Sequence, residues 1–273
     1  MHAKPMIDDP ADDLTPLIRE LTSRPDVLRQ DLQSLRFALD RHGPIDRRQA
    51  AEFFRANRII RTDQDGWYEL YLAALTGFFL KYQEDRFILP EHSAALLLGW
   101  LGGEESIADV GERRLTLRLL LRAADVPDCF ERRILDAIAE ALIHQPYRWS
   151  GDGVRTPGVI DALDLHLIGN LACRSGNQPT NRLSRIMVAF LLTLERGPCR
   201  FADPAAWRRL LVDCLARHLS QGLMPERDVA SASSSRSISD LSALLDECCG
   251  PGMDDHLRDE VLSEVEERVA SYA

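Results

Sequence analysis

The run from Trp67 to Leu80, Trp-Tyr-Glu-Leu-Tyr-Leu-Ala-Ala-Leu-Thr-Gly-Phe-Phe-Leu, admits one kind of element in one kind of surroundings. Trp67, Leu70, Tyr71, Ala74, Leu75, Phe78 and Phe79 recur at the i, i+3, i+4, i+7 spacing of a single helix face. Tyr68 and Leu72 make the opposite side apolar too, and Glu69 and Thr76 interrupt it. A helix apolar nearly all round is covered by neighbours on most sides. The run is too short to cross a bilayer, which takes about 20 apolar residues. It predicts a buried helix at the centre of a bundle.

The rest of the composition agrees with a folded soluble chain: 273 residues, 45% hydrophobic and 28% charged. A net charge of −10 argues against a general nucleic-acid binder and against attraction to anionic membrane. Met1 to Pro16 is polar and acidic, without the charged and apolar regions of a leader, so the expected location is the cytoplasm. Six cysteines (Cys129, Cys173, Cys199, Cys214, Cys248, Cys249) form no Cys-x-x-Cys and read as reduced thiols. Lys4 and Lys81 are the only lysines among the cationic residues.

Helical spacing and stop signals divide the chain. Residues 1–26 read as an acidic N-terminal arm and a short helix at about Leu14–Thr22. Residues 27–144 read as a first helical repeat plus intervening helices, with helices at about Val27–Arg41, Asp46–Arg58, from Asp63 onward, Pro90–Leu101, Asp109–Ala124 and Pro127–His144. Residues 158–224 read as a second repeat, with helices at about Asp161–Cys173, Thr180–Glu195 and Asp203–Gln221. Residues 225–273 read as a serine-rich linker and C-terminal helices, at about Ser239–Cys249 and Asp254–Tyr272. No stretch has the period of a strand.

The repeat rests on register. With Trp207 laid on Trp67, Leu210 falls on Leu70, Leu211 on Tyr71, Cys214 on Ala74, Leu215 on Leu75, His218 on Phe78 and Leu219 on Phe79. Asp203 falls on Asp63, and Asp164-Leu165 with Ile168 answers Asp31-Leu32 with Leu35. The expected fold is all-α, a helical bundle with two degenerate three-helix repeats joined by intervening helices. The first Trp helix should lie deeper. The second, with Arg208, Arg209, Asp213 and Arg217 outward, should present a charged face.

Four segments carry a resemblance: Arg48–Phe54, Asp65–Leu75, Ala123–Pro127 and Gly158–Leu165. On these the chain resembles a family of uncharacterised alphaproteobacterial all-helical tandem-repeat proteins, over about residues 30–224. Arg185-Ile186-Met187 departs from the Glu-Ala-rich start usual at that helix. The resemblance implies the fold and brings no activity or site. A weaker similarity is to TerB-like helical domains, which pair acidic residues for divalent metal.

Asp63, Asp65 and Glu69 are where that similarity can be tested, with three carboxylates over a loop and a first helical turn. They fail as an EF-hand, because Gly66 is the fourth loop residue and Ala74 the twelfth. Helix capping explains Asp63 and Asp65 without metal. Arg114, Arg118 and Arg122 form an i, i+4, i+8 basic row, a surface for a phosphate or an acidic partner segment, or simply a solvated face. Tyr147-Arg148-Trp149 offers Trp149 either to a partner or to the core. Cys248-Cys249 near His256 offers either a soft-metal or redox pair or, more simply, a helix end at Gly250-Pro251, and Cys129, Cys173 and Cys214 read as small core residues. His166 and His218 have no metal partner at i+4.

Nucleotide-loop, dinucleotide-loop, zinc-protease and nucleophile-elbow motifs are all missing. The sequence therefore points to a non-enzymatic module that binds another protein, without cofactor, nucleic acid or membrane. The expected contact residues are Arg114, Arg118, Arg122, Arg208, Arg209 and Trp149, with the C-terminal helix as a second surface. A divalent-metal-linked stress protein is the alternative.

Overall fold

The computed structural model describes residues 14–23, 28–60, 65–102, 107–149, 153–174, 183–223, 245 and 253–272. The arm before residue 14, the linker at 224–237, Asp63 and Cys248-Cys249 lie outside these residues, as does nearly all of the expected helix at 239–249.

Helix starts follow their caps. Asp46 accepts the Gln49 amide at 2.7 Å while the Gln49 side chain accepts the Asp46 amide at 3.0 Å, a reciprocal box that opens a helix at Arg47. Ser184 caps the helix at Arg185 by accepting the Met187 amide at 3.0 Å. Asp203 accepts the Ala206 amide at 2.9 Å. The Leu28 amide donates to Asp31 at 3.1 Å and the Asp161 amide to Asp164 at 3.3 Å, so a carboxylate three residues in satisfies the start of each of those helices.

Eleven helices result among the described residues: α1 (Thr15–Ser23), α2 (Arg29–His42), α3 (Arg47–Ile59), α4 (Asp65–Phe79), α5 (Glu91–Leu101), α6 (Val110–Arg122), α7 (Asp128–His144), α8 (Ala162–Arg174), α9 (Arg185–Arg196), α10 (Pro204–Leu223) and α11 (Asp255–Tyr272). The all-α class holds, and most helix ends fall within two residues of their expected places. Two small sheets were not expected. Strands β1 (Lys81–Gln83) and β2 (Arg86–Ile88) form an antiparallel hairpin, and β3 (Val159–Ile160) pairs in parallel with β4 (Arg200–Phe201).

The chain divides into two compact units, Met1–Leu119 and Leu120–Ala273, so the division falls inside α6 and not after residue 144. In the first unit α1 packs on α3, α3 on α4 and α2 on α4. In the second α7 packs on α9, α9 on α10 and α8 on α10. The pairing order is the same: first on third, third on fourth, second on fourth. Helix α7, expected among the intervening helices, is thus the first helix of the second unit.

Each unit closes around its tryptophan helix. Trp67, Tyr71, Leu75 and Phe79 are 0% exposed, and Trp207, Leu211, Leu215 and Leu219 are at most 3% exposed. Burying each such side chain contributes about 1.5–3 kcal/mol. The expected depths are reversed. Glu69, Ala73 and Gly77 leave an exposed strip along α4, whereas no residue of α10 from 210 to 220 is exposed. The reason is α11, whose Leu257, Val261 and Val265 are buried and which packs along α10.

Candidate functional site

Both indoles are tied by their N–H as well as by packing. Trp67 Nε1 donates to Asn57 Oδ1 at 3.3 Å, and Asn57 Nδ2 donates to Asp109 at 2.6 Å. The same Asp109 oxygen accepts the Glu112 amide at 2.9 Å, starting α6. Arg58 Nε donates to Glu112 at 2.6 Å and its Nη2 to the Trp100 carbonyl at 3.0 Å. Gly111 makes this approach possible, because a Cβ there would lie 2.2 Å from Asn57 Oδ1. Burial raises the Glu112 carboxyl above its ordinary range despite Arg58, and it pushes the Tyr71 hydroxyl well up. In the second unit the Trp207 indole donates to the Glu195 carboxylate and stacks on Phe201 at 4.4 Å and 11°.

A second buried network anchors the loop between α7 and α8. Arg155, whose side chain is 1% exposed, donates to the carbonyls of Ala141 at 3.0 Å, Leu142 at 2.5 Å and Val159 at 2.6 Å, and faces Asp164 at 3.2 Å. Arg148 grips Asp161 with two bonds, at 3.1 and 2.5 Å. The hydrogen bond from Arg148 holds Asp161 down at about 2, whereas burial outweighs both arginines and raises Asp164. Opposed shifts in neighbouring carboxylates can mark acid–base chemistry. Here both spend their oxygens on guanidinium and backbone N–H groups, which is the chemistry of a clamp. Gly158, at φ +72°, supplies the left-handed turn that leads the loop into β3.

The residues singled out in the sequence are scattered. Trp149 is 2% exposed, so the core reading holds for it and its ring is not offered to a partner. Arg208 donates to Glu260 at 2.9 Å and to Asp254 at 3.3 Å, and Arg268 of α11 pairs with Asp213. The two surfaces expected to bind partners, the charged face of the second Trp helix and the C-terminal helix, cover each other. Arg209 is exposed. Arg114 lies over the Tyr68 ring at 4.7 Å, and with Arg118 and Arg122 it lines the side of α6 that reaches solvent.

Glu69 pairs with Arg36 at 3.1 Å. Among the described residues no group of three or more His, Cys, Asp or Glu is arranged to hold a metal ion. His218 donates to the Leu183 carbonyl at 2.8 Å, a structural role. Of the three cysteines expected in the core only Cys214 is buried, its thiol pushed up to about 12 by desolvation, while Cys129 and Cys173 are exposed.

The surface feature that sequence reasoning missed is the hairpin. Tyr82 and Phe87 are cross-strand partners with rings edge-to-face at 5.2 Å, and they are 65% and 42% exposed. Their turn residues, Glu84 and Asp85, have φ of 49° and 60°. Such two-residue turns favour Asn-Gly or Asp-Gly, and the lack of glycine hid the hairpin. The alternating aromatic residues of Tyr82-Gln83 and Arg86-Phe87 were the signal that could have found it.

Among the described residues no helix is long and apolar enough to cross a membrane. No protein-family model, no curated protein and no solved structure matches this chain.

Proposed function

We propose that the chain is a non-enzymatic, protein-binding helical module, and that the aromatic face of the β1–β2 hairpin is its contact surface. One observation carries the reading: Tyr82 is largely and Phe87 partly exposed, the two held together across a turn with two non-glycine residues at positive φ. Such backbone costs about 1–3 kcal/mol per residue at non-glycine positions and persists only where the surrounding structure holds it. Exposed aromatic side chains are the usual anchors of a binding patch. The surroundings suit a scaffold role. We take the four-helix order α1–α4 and α7–α10 as two copies of one ancestral unit, supported by the matching caps, helix pairings and indole anchors. A divalent-metal role would have to draw Glu69 away from Arg36, so the binding reading is the stronger.

The test is site-specific crosslinking in native lysate, with a photoreactive residue at Gln83 of the full chain. A partner captured by the wild type and lost from the Tyr82→Ser/Phe87→Ser variant, with unchanged circular dichroism, supports the reading. Equal capture by both overturns it.

A further inference from the structure

In the first unit a cavity of about 540 Å³ is lined by Arg47, Phe78, Lys81, His92, Ser93 and Leu96. Strand alternation sends Lys81 to the face opposite Tyr82, so this cavity is distinct from the aromatic patch. None of its lining residues is acidic, in a chain of net charge −10. Arg47 and Lys81 are exposed and have no ion pair among the described residues. Asp46, beside Arg47 in the chain, spends a carboxylate oxygen on the Gln49 amide, and Glu91, beside His92, does not line the cavity.

The start of α5 borders the cavity through His92 and Ser93. Helix α5 begins after Pro90, which gives it no side-chain cap, so the first amides, those of Glu91, His92 and Ser93, keep their N–H groups uncapped. Ser93 is only 5% exposed, yet it lines the cavity and its hydroxyl has no hydrogen bond among the described residues. The oxygen is reached from the cavity, so an anionic oxygen bound there can accept the Ser93 hydroxyl proton. Phe78 and Leu96 supply the apolar part of the lining.

We infer that this cavity binds a small organic phosphate, with the phosphate group held by Arg47, Lys81, the start of α5 and Ser93. A helix N-terminus with flanking cations is suited to phosphate oxygens. The volume exceeds what a bare phosphate fills and lies within the range of small-molecule pockets, about 300–1,000 Å³. The non-phosphate part of the ligand rests on Phe78 and Leu96.

The experiment is calorimetric titration of the full chain, at constant ionic strength, with inorganic phosphate and with phenyl phosphate as probes. The expected result is saturable binding of both, tighter for phenyl phosphate. Lys81→Gln should weaken each by about tenfold or more, as loss of one charge-assisted contact does. Ser93→Ala should weaken both several-fold, and Arg209→Gln, on an exposed site elsewhere, should change neither. Absence of saturable binding, or binding indifferent to both Lys81→Gln and Ser93→Ala, overturns the site. Equal affinity for the two probes overturns the part assigned to the apolar lining. Tyr82→Ser/Phe87→Ser should leave phosphate binding intact, which separates this site from the partner surface.

Discussion

Asn57 and Glu195 occupy the same place in their helices, eleven residues after the caps Asp46 and Ser184, and each accepts the indole N–H of the tryptophan leading the next helix. One acceptor is a neutral amide and the other a carboxylate, yet both satisfy the N–H of an indole that packing has buried. The position is kept while the chemistry differs. A doubled unit whose copies have since diverged would leave this pattern.

Trp67→Ala should destabilise the first unit by about 3–5 kcal/mol, the range for deleting a large buried aromatic side chain. Gly111→Ala should cost about 1–3 kcal/mol although it touches no tryptophan, because its Cβ displaces Asn57 from the Trp67 indole. Urea unfolding followed by circular dichroism measures both. A Gly111→Ala protein as stable as the wild type would show that the amide network is not held by that close approach.

The turn of the hairpin makes the opposite forecast. Asp85→Gly should raise stability by up to about 1 kcal/mol, since glycine adopts a φ of 60° more readily than aspartate does. Slower amide exchange at Tyr82 and Phe87 is the local readout. Faster exchange would mean that the bond from the Tyr82 hydroxyl to Asp85, at 3.2 Å, outweighs the backbone strain.

The clamp at Asp161 predicts a pH dependence. Its folded-state value, about 2, lies below the ordinary carboxylate value of about 3.9 in the unfolded chain. Its stabilising contribution is therefore complete above that ordinary value and is lost as pH falls toward about 2. Asp164 has the opposite sign: burial raises it, so the native state holds its proton more tightly and acidification through its range favours folding. Asp161→Asn should flatten the acid limb of the urea midpoint measured against pH. An unchanged limb would place the acid sensitivity elsewhere.

On α11 the packing outweighs the ion pairs. Arg208→Ala removes partly exposed pairs and should cost less than about 1 kcal/mol. Leu257→Ala empties a site that is 2% exposed and should cost about 2–5 kcal/mol. Thermal unfolding of the two variants compares them directly, and an equal loss would contradict this ranking.

The tryptophan registers were legible because helical period, cap and core face all agree within 20 residues of chain. The grouping of α1 and α7 with the three helices that follow each was not, since both were read as helices but neither carries a residue that marks the other as its equivalent. Position along α10 was misread for a related reason. Charges at Arg208 and Asp213 look solvent-facing until α11, 46 residues beyond Arg208 at Asp254, brings partners for them. The hairpin escaped because Glu84 and Asp85 give no turn signal, and with it went the aromatic patch and one wall of the cationic cavity. Lys81 and His92 meet there through tertiary structure alone.

The most direct test of the two-anchor account is exchange of the indole protons, followed by nuclear magnetic resonance on protein labelled at tryptophan nitrogen. The account predicts slow exchange for Trp67 and Trp207, with the Trp67 signal alone moved by Asn57→Ala and the Trp207 signal alone moved by Glu195→Gln. Exchange of either indole proton at the rate of a free side chain in water would contradict it.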